Sequence, residues 1–401
     1  MFQKHKFTLF FFIVLYGITL ILMRNVPALD DYYYRADEGT YLRQATAIKN
    51  EGVTKIAELT DAYILNAHSE QTFPHPLRIG HILLSAIVLN VYDSILSLSY
   101  LSIFFFVLIA ITVFVFIKKW FDGRTAFIAA SMVAASPLLC GISERALADI
   151  DFTYFLLLSF FLLIDYLKDP NKKNQFLLIA SISIAILFKE VAILFLPFYA
   201  IVMLLVIEQQ QGLSYPKIAT VLLTPLLVSG FILLGLVGSN RFFDFLGQFL
   251  AALKKTDPYL TDFSSGPWYV YLIDLIILSP IVFLLSVFYI GEYIYTQKKN
   301  LIVTLLITFC IYFLVSFTLF PKDIRFGIIV DIVFRILSAL CIVQLIDRFK
   351  LTTPLKSSML LVVLVLFISM ELLNFKELFL TNKIYDPASY YLLKAKKIIP
   401  Q

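Results

Sequence analysis

Eleven apolar runs dominate this chain, at residues 7–23, 97–117, 125–142, 152–167, 176–189, 190–207, 217–238, 268–290, 301–320, 326–346 and 357–373. A hydrocarbon layer about 30 Å thick takes roughly 20 apolar residues as a helix. Strict apolar–polar alternation is absent and the runs are long, so they predict helices and not barrel strands. Composition agrees: 60% of the residues are apolar and 15% charged, with a mean hydropathy of +0.86. Soluble proteins average roughly 25% charged residues, so the polar surface needed by water-soluble domains is missing here. Fourteen glycines, 15 prolines and three cysteines exclude a collagen-like, low-complexity or disulfide-stapled chain. Cys140, Cys310 and Cys341 lie inside apolar stretches and read as small buried hydrophobes. The fold class expected is an all-α polytopic membrane protein with about 11 transmembrane helices.

One further apolar segment, 77–91, is short, follows Pro74-His75-Pro76 and carries Arg78 and His81. If it does not cross, the loops at Lys118-Lys119…Arg124, Lys168…Lys173, Gln209…Lys217, Lys298-Lys299 and Arg348…Lys356 all fall on one side. Short basic loops of that kind face the cytoplasm. If it crosses, all of them flip outward. Residues 77–91 are therefore expected as a juxtamembrane or re-entrant helix on the outer side. The first run follows Lys4-His5-Lys6 and has no small-residue cleavage site after it, so it reads as an uncleaved span with a cytoplasmic N-terminus. The expected organisation is a transmembrane module over 1–373, with a first outer loop at 24–96 holding juxtamembrane helices, and a short outer tail at 374–401. The net charge of +5 gathers in the inner loops. It argues for membrane orientation and against nucleic acid binding. The chain length and basic inner loops point to a multi-pass protein of a prokaryotic plasma membrane.

This topology places the unusual charges on the outer side. The first outer loop holds Asp30-Asp31 and then Arg35-Ala-Asp37-Glu38-Gly-Thr-Tyr41, with His68 and His75 farther on. The Asp37-Glu38 pair suits a general base beside a neighbour that tunes it. It equally suits a divalent cation held by oxygen ligands, or an acidic start to a helix. The second loop reads Ser143-Glu144-Arg145-Ala-Leu-Ala-Asp149-Ile-Asp151. Charges at the lip of a membrane cavity are costly unless paired or used, and Arg145 and Asp149 have the spacing of an i,i+4 pair. Lys189-Glu190 interrupts about thirty apolar residues and must mark a turn. Lys189 there is either a snorkelling cation or a phosphate contact. Lys322 and Arg325 add outer cations, Asp331 and Arg335 are spaced to pair on one helical face, and Pro267-Trp268-Tyr269 has the look of an interfacial aromatic belt. Carboxylates beside separated cations, above a large apolar body, suit a lipid-linked anionic substrate.

The same residues, in order, resemble the GT-C membrane glycosyltransferases of the protein O-mannosyltransferase and aminoarabinose-transferase group. The series runs through Asp37-Glu38-x-x-Tyr41-x-x-x-Ala45 with Gly52 downstream, then Pro74-His75-Pro76-Leu77, Ser136-Pro137, Glu144-Arg145-Ala-x-x-x-Asp149, Phe188-Lys189, Gly266-Pro267-Trp268-Tyr269-x-Tyr271 and Lys322-x-x-Arg325-Phe326. It covers roughly residues 7–346. Three departures stand out. Pro-His-Pro-Leu replaces the usual His-Pro-Pro-Leu, Phe326 stands where Tyr is common, and no large C-terminal soluble domain or MIR-like insert is found in these 401 residues.

The resemblance implies a glycosyltransferase that moves a sugar from a polyprenyl-phosphate donor to an acceptor hydroxyl on the extracytoplasmic side, with inversion. Asp37 matches the catalytic acidic position, with Glu38 its neighbour and Asp149 (or Asp151) the acidic position of the second loop. Arg145, Lys189 and Arg325 match lipid-phosphate contacts or residues supporting them, and His75, Lys322, Trp268 and Tyr269 fall in substrate-binding segments. No nucleotide is needed, and no glycine-rich phosphate loop occurs. The first-loop carboxylates and histidines lack a convincing ligand spacing, so no metal residues are assigned and no cofactor is required, with a divalent cation as the alternative. The partners implied are the lipid-linked donor, the bilayer, and a protein, glycolipid or envelope-polymer acceptor. Two other classes fit the charge pattern: a transporter or flippase of lipid-linked sugars, and a structural subunit of an envelope complex. The absence of a visible internal repeat weighs against the transporter.

Overall fold

A computed structural model describes residues 2–26, 37–66, 74–208, 210, 212–252, 267–297, 299–317, 323–350, 352–384, 390–391 and 394, without the side chains of 2–6 and 249–252. Among these residues every regular element is a helix. In chain order the α-helices are α1 (Phe2–Asn25), α2 (Asp37–Glu51), α3 (Lys55–Leu65), α4 (Ile79–Val91), α5 (Leu96–Trp120), α6 (Gly123–Ala134), α7 (Pro137–Ser143), α8 (Asp149–Lys168) and α9 (Lys172–Phe188). A 3-10 turn at Glu190–Phe195 leads into α10 (Leu196–Val206), followed by α11 (Tyr215–Val237), α12 (Ser239–Ala252), α13 (Val270–Leu278), α14 (Pro280–Tyr295) and α15 (Leu301–Ser316). A second 3-10 turn at Ile324–Gly327 opens α16 (Ile328–Arg348), and α17 (Thr353–Phe375) runs on as a π turn at Lys376–Thr381.

Six of the eleven predicted spans are single helices long and apolar enough to cross a membrane, and the number rises to eight if two bent pairs each count as one span. The remaining three, α9, the Glu190–Val206 stretch and α15, are only 16 or 17 residues long. The segment expected as a span over 268–290 is a bent pair of helices. α13 and α14 meet at 119°, because Pro280 cannot continue the preceding helix and starts a new one. α6 and α7 bend by 54° ahead of Pro137. α4, at 13 residues, covers roughly 20 Å, short of a full hydrocarbon layer.

The chain folds into two compact units. One comprises Met1–Asn25, Phe106–Ser143 and Pro258–Gln401, the other Val26–Phe105 and Glu144–Asp257. α5 passes from the second into the first.

The first unit is built around α16, which is buried along almost its whole length and packs on α14, α6 and α17. Its polar centre is Arg335, with no exposed surface. The guanidinium donates to Asp331 Oδ2 at 2.8 Å, to the Met132 carbonyl at 3.0 Å and to Ser279 Oγ at 2.6 Å, and lies 2.7 Å from Glu371 Oε2. Ser136 Oγ donates to Asp331 and Ser279 Oγ to Glu371. The cluster thus binds the two helix breaks: Met132 and Ser136 flank the first, Ser279 forms the second. Breaking a membrane helix frees backbone groups that need partners. Arg335 supplies one for Met132, and Asn374 Nδ2 one for the Leu278 carbonyl.

One end of this unit gathers the expected inner loops. Arg124 makes a two-point ion pair with Asp347, Lys356 reaches the Asp347 backbone carbonyl, and Arg348 pairs with Glu292 near the end of α14. Phe7 and Phe10 of α1 pack against Phe127 there.

In the second unit α9 packs between α8 and α11, and α2 lies on α4. Ser159 and Tyr199 share a hydrogen bond of 2.6 Å, and Ser229 donates to the Ser183 carbonyl. The loops at Pro170 and Gly212 meet at one end, where a Cβ on Gly212 would lie 3.4 Å from Pro170. The predicted outer charges gather elsewhere in this unit.

Replacing Arg335 by Leu strands two buried carboxylates. Removal of one member of a buried ion pair costs roughly 3–5 kcal/mol, so the Arg335→Leu protein should melt far below wild type in detergent. Changing Asp331 and Glu371 to Leu as well should recover much of the loss; a triple variant no better than the single would count against this origin.

Candidate active site

The charged site of the second unit is assembled by four segments. α2 begins with Asp37 and Glu38, whose charges favour a helix N-terminus. It ends at Gly52, which takes φ +86° and returns its N–H to the Ile48 carbonyl at 2.8 Å, a left-handed cap suited to glycine. α8 likewise opens on Asp149 and Asp151. Between α9 and the 3-10 turn, Lys189 is extended. Its predecessor Phe188 is held by Phe155 at 4.9 Å and by Gly80, where an added Cβ would come within 2.6 Å of the ring. Packing against that bare glycine sets the position of the Lys189-Glu190 turn relative to α4.

Each cation here meets a carboxylate from another segment. Arg145 forms a two-pronged pair with the buried Glu38, with Nη2 donating to Oε2 at 2.6 Å. Lys189 Nζ donates to Asp149 Oδ1 at 2.6 Å, and both side chains are buried. Arg78 donates to both Glu190 oxygens, at 3.1 and 2.8 Å, and to Tyr41 Oη at 2.8 Å. His75 Nε2 lies 3.1 Å from Glu190 Oε2, and His81 Nδ1 hydrogen bonds Asp151 Oδ2 at 2.6 Å. The four-residue spacing of Arg145 and Asp149 does not lie within one helix, since α8 begins at Asp149. Arg145 precedes the first turn of α8, so helical spacing does not apply to it.

Tyr41 sits at the middle of the group. It is buried, stacks edge-on to His81 at 4.5 Å and feels the charges of Arg78, Asp37 and Asp149. Burial pushes its hydroxyl pKa up, so it stays a neutral donor and acceptor. Burial also lowers the His75 pKa, which keeps that ring neutral at pH 7. Glu144 is 3% exposed, and its Oε1 has no hydrogen-bond partner among the described residues. Desolvation raises its carboxyl to about 8.

The second unit therefore brings together Asp37, Glu38, His75, Arg145, Asp149, Asp151 and Lys189 among the residues singled out from the sequence. Arg325, Trp268 and Tyr269 belong to the other unit. There Arg325 Nε donates to Asp323 Oδ2 at 2.7 Å, and the two aromatic rings are each 48% exposed. Lys322 lies outside the described residues, as do Asp30, Asp31, Arg35, His68 and Gly266. Arg78, Glu190, Tyr41 and His81 are the members that the sequence reading did not assign. An arginine one turn after His75 in an apolar segment was itself a signal, since it requires an anion nearby. Among the described residues no three metal-ligating side chains converge on one point. Glu38, Asp149 and Glu190 accept from Arg145, Lys189 and Arg78.

Residues 75–233 match the family model described as dolichyl-phosphate-mannose-protein mannosyltransferase. No curated protein sequence matches the chain. Among solved structures it is similar to the archaeal oligosaccharyltransferase AglB from Archaeoglobus fulgidus, in complex with an inhibitory peptide and a dolichol-phosphate. That match has a TM-score of 0.60 and 14% identity, over 92% of this chain and 55% of AglB. It is also similar to ArnT from Cupriavidus metallidurans bound to undecaprenyl phosphate, with a TM-score of 0.57 and 14% identity over 98% of this chain and 69% of ArnT. The chain has the GT-C fold. Apo ArnT gives the same fold match at a TM-score of 0.60 and 17% identity. The GT-C match covers nearly all of this chain, which spans about half the length of AglB.

Two outcomes follow from the geometry. Glu144 is neutral in the fold and ionised at its ordinary value of 4.5 when unfolded, so its contribution to stability is complete below about pH 4.5 and disappears as pH rises through about 8. The melting temperature in detergent should fall between about pH 4.5 and pH 8, and Glu144→Gln should flatten that fall. An unchanged slope in the variant would reject the assignment. Gly80→Ala should cost roughly 1–3 kcal/mol through the Phe188 clash, whereas Gly123→Ala, with open space around it, should leave melting unchanged.

Proposed function

We propose that this chain is an integral membrane glycosyltransferase that moves a sugar from a polyprenyl-phosphate donor to an acceptor hydroxyl, in one displacement with inversion at the anomeric carbon. What supports the reading is the meeting of Asp37, Tyr41, Arg78, Asp149 and Lys189 from four segments of a GT-C fold. Related folds carry lipid phosphates: ArnT is bound to undecaprenyl phosphate and AglB to a dolichol-phosphate. AglB has also been solved tethered to an acceptor peptide, which makes a protein hydroxyl or amide one acceptor class to try.

In this mechanism Asp37 takes the proton of the acceptor hydroxyl as its oxygen attacks the anomeric carbon. The bond from that carbon to the phosphate oxygen breaks, and the electron pair leaves with the lipid phosphate. Lys189 and Arg78 carry the growing negative charge of the leaving group, as preorganised cations in a poorly solvated site do. To reach Lys189 the phosphate takes the place of Asp149. Glu38 and Arg145 hold the start of α2 against the second loop and so position Asp37. The assignment of Arg325, Lys322, Trp268 and Tyr269 to the substrate rests on the sequence pattern alone. Catalysis is proposed to need no metal, because Glu38, Asp149 and Glu190 are engaged by Arg145, Lys189 and Arg78.

The deciding experiment incubates the purified protein in detergent with radiolabelled polyprenyl-phosphate sugars and a membrane extract, and identifies the labelled product. Transfer of label in detergent, where there is no bilayer to flip across, separates an enzyme from a flippase. Asp37→Asn should lower transfer by at least about 100-fold, the lower range for loss of a general base, with melting unchanged. Native-like turnover by a folded Asp37→Asn protein would sink the mechanism. Transfer should survive EDTA; loss restored by Mg²⁺ or Mn²⁺ would reverse the metal-independent reading.

A further inference from the structure

A groove of about 610 Å³ opens in the first unit where the starts of α1, α6 and α17 meet. This is within the range of small-molecule sites, about 300–1,000 Å³. It lies at the end of the unit where Arg124, Asp347 and Lys356 converge, and none of the residues proposed for sugar transfer lines it. Its walls change character along their length. Arg124 and the hydroxyl residues Thr353 and Ser357 line one part; Phe7, Phe10, Phe127 and Leu361 line the other. From Thr353 to Leu361 is eight residues of helix, or about 12 Å from polar rim to apolar depth. Phe10 and Leu361 are 41% and 38% exposed, so the apolar part is open on its side and not sealed by the protein.

The charges at the rim do not cancel. Arg124 donates to both oxygens of Asp347, at 3.0 and 2.6 Å. Lys356 donates to the Asp347 backbone carbonyl at 3.0 Å and lies 3.7 Å from its carboxylate. Asp122 caps α6 at the Arg124 backbone, but the two loops that meet here carry Lys118, Lys119, Arg124, Arg348, Lys350 and Lys356 against Asp122 and Asp347, leaving an excess positive charge beside a slot lined by apolar rings. Basic pockets between membrane helices attract anionic head groups. A free phosphate would use the rim but gain nothing from Phe10 and Leu361. A zwitterionic lipid would fill the slot but carry no net charge to offset the excess.

We propose that this groove is a binding site for an anionic phospholipid, with the phosphate at Arg124 and Ser357 beside Lys356, and the upper acyl chain between Phe10 and Leu361. The lipid bridges the start of α1 to the starts of α6 and α17. The site is independent of the sugar-transfer reading and stands or falls separately from it.

The test uses the full-length protein in a mild detergent, with phosphatidylglycerol, phosphatidylcholine and glycerol 3-phosphate as probes, read by native mass spectrometry. Wild type should retain phosphatidylglycerol at least about five-fold over phosphatidylcholine. Lys356→Gln lowers the excess charge at the rim while leaving the Arg124–Asp347 pair intact, and should cut the preference between head groups at least about two-fold. Leu361→Trp fills the apolar slot and should lower retention of phosphatidylglycerol several-fold, while Phe231→Trp, at an exposed position on α11 in the other unit, should not. The proposal is overturned by equal retention of the two lipids in wild type, or by wild-type retention in both groove variants. Equal competition by glycerol 3-phosphate would make the groove a soluble-anion site, and a dimer lost in Leu361→Trp would make it a contact between copies of this chain; either result also overturns it.

Discussion

An ionised side chain withdrawn from water needs a partner of opposite sign, and in a chain with so few charges that demand organises much of the fold. Arg335 is the fullest case. It is completely buried, and its donors go to two carboxylates, a serine and the carbonyl at the end of a broken helix. The breaks before Pro137 and at Pro280 would otherwise leave backbone groups unmet in an apolar interior. The cluster permits α13 and α14 to turn sharply and still be satisfied. The second unit obeys the same rule with a different purpose. There the pairs Arg145–Glu38, Lys189–Asp149 and Arg78–Glu190 join α2, the second loop and the Lys189-Glu190 turn into one charged assembly.

Much of this was legible in the sequence because it depends on short-range pattern. The apolar runs gave the helices, the basic hairpins gave the segments that gather together, and the four-residue spacing of Asp331 and Arg335 gave their pair. Arg124, Asp347 and Lys356 come from two loops predicted on one side, and they do meet. What spacing could not supply is the partner across distant sequence. Glu371 lies 36 residues after Arg335, and nothing local announces it. Arg78 finds Glu190 across 112 positions and Arg145 finds Glu38 across 107. The four-residue spacing of Arg145 and Asp149 is no guide to helical pairing, because the helix begins only at Asp149.

The helix breaks were also beyond the pattern. Hydropathy sees residues 268–290 as one apolar run. The 119° turn needs a partner for Leu278 and a serine able to join Glu371 and Arg335, both supplied by helices that follow much later. Shortness is a second limit. α9 and α15 are apolar enough to look like crossings, yet each is a turn or so below the length of a straight one.

The carboxylates that hold Arg145, Lys189 and Arg78 have a consequence for how any anion enters. The resting site is internally neutralised, so an arriving head group does not fall onto naked cations; it exchanges with a tethered carboxylate already in place. Affinity is then the small difference between two strong contacts. Release is correspondingly easy, since the displaced side chain waits beside its old partner. In the proposed sugar transfer, a product that leaves as a charged phosphate would benefit from such a built-in competitor, and turnover would gain where a bare cationic pocket would hold on.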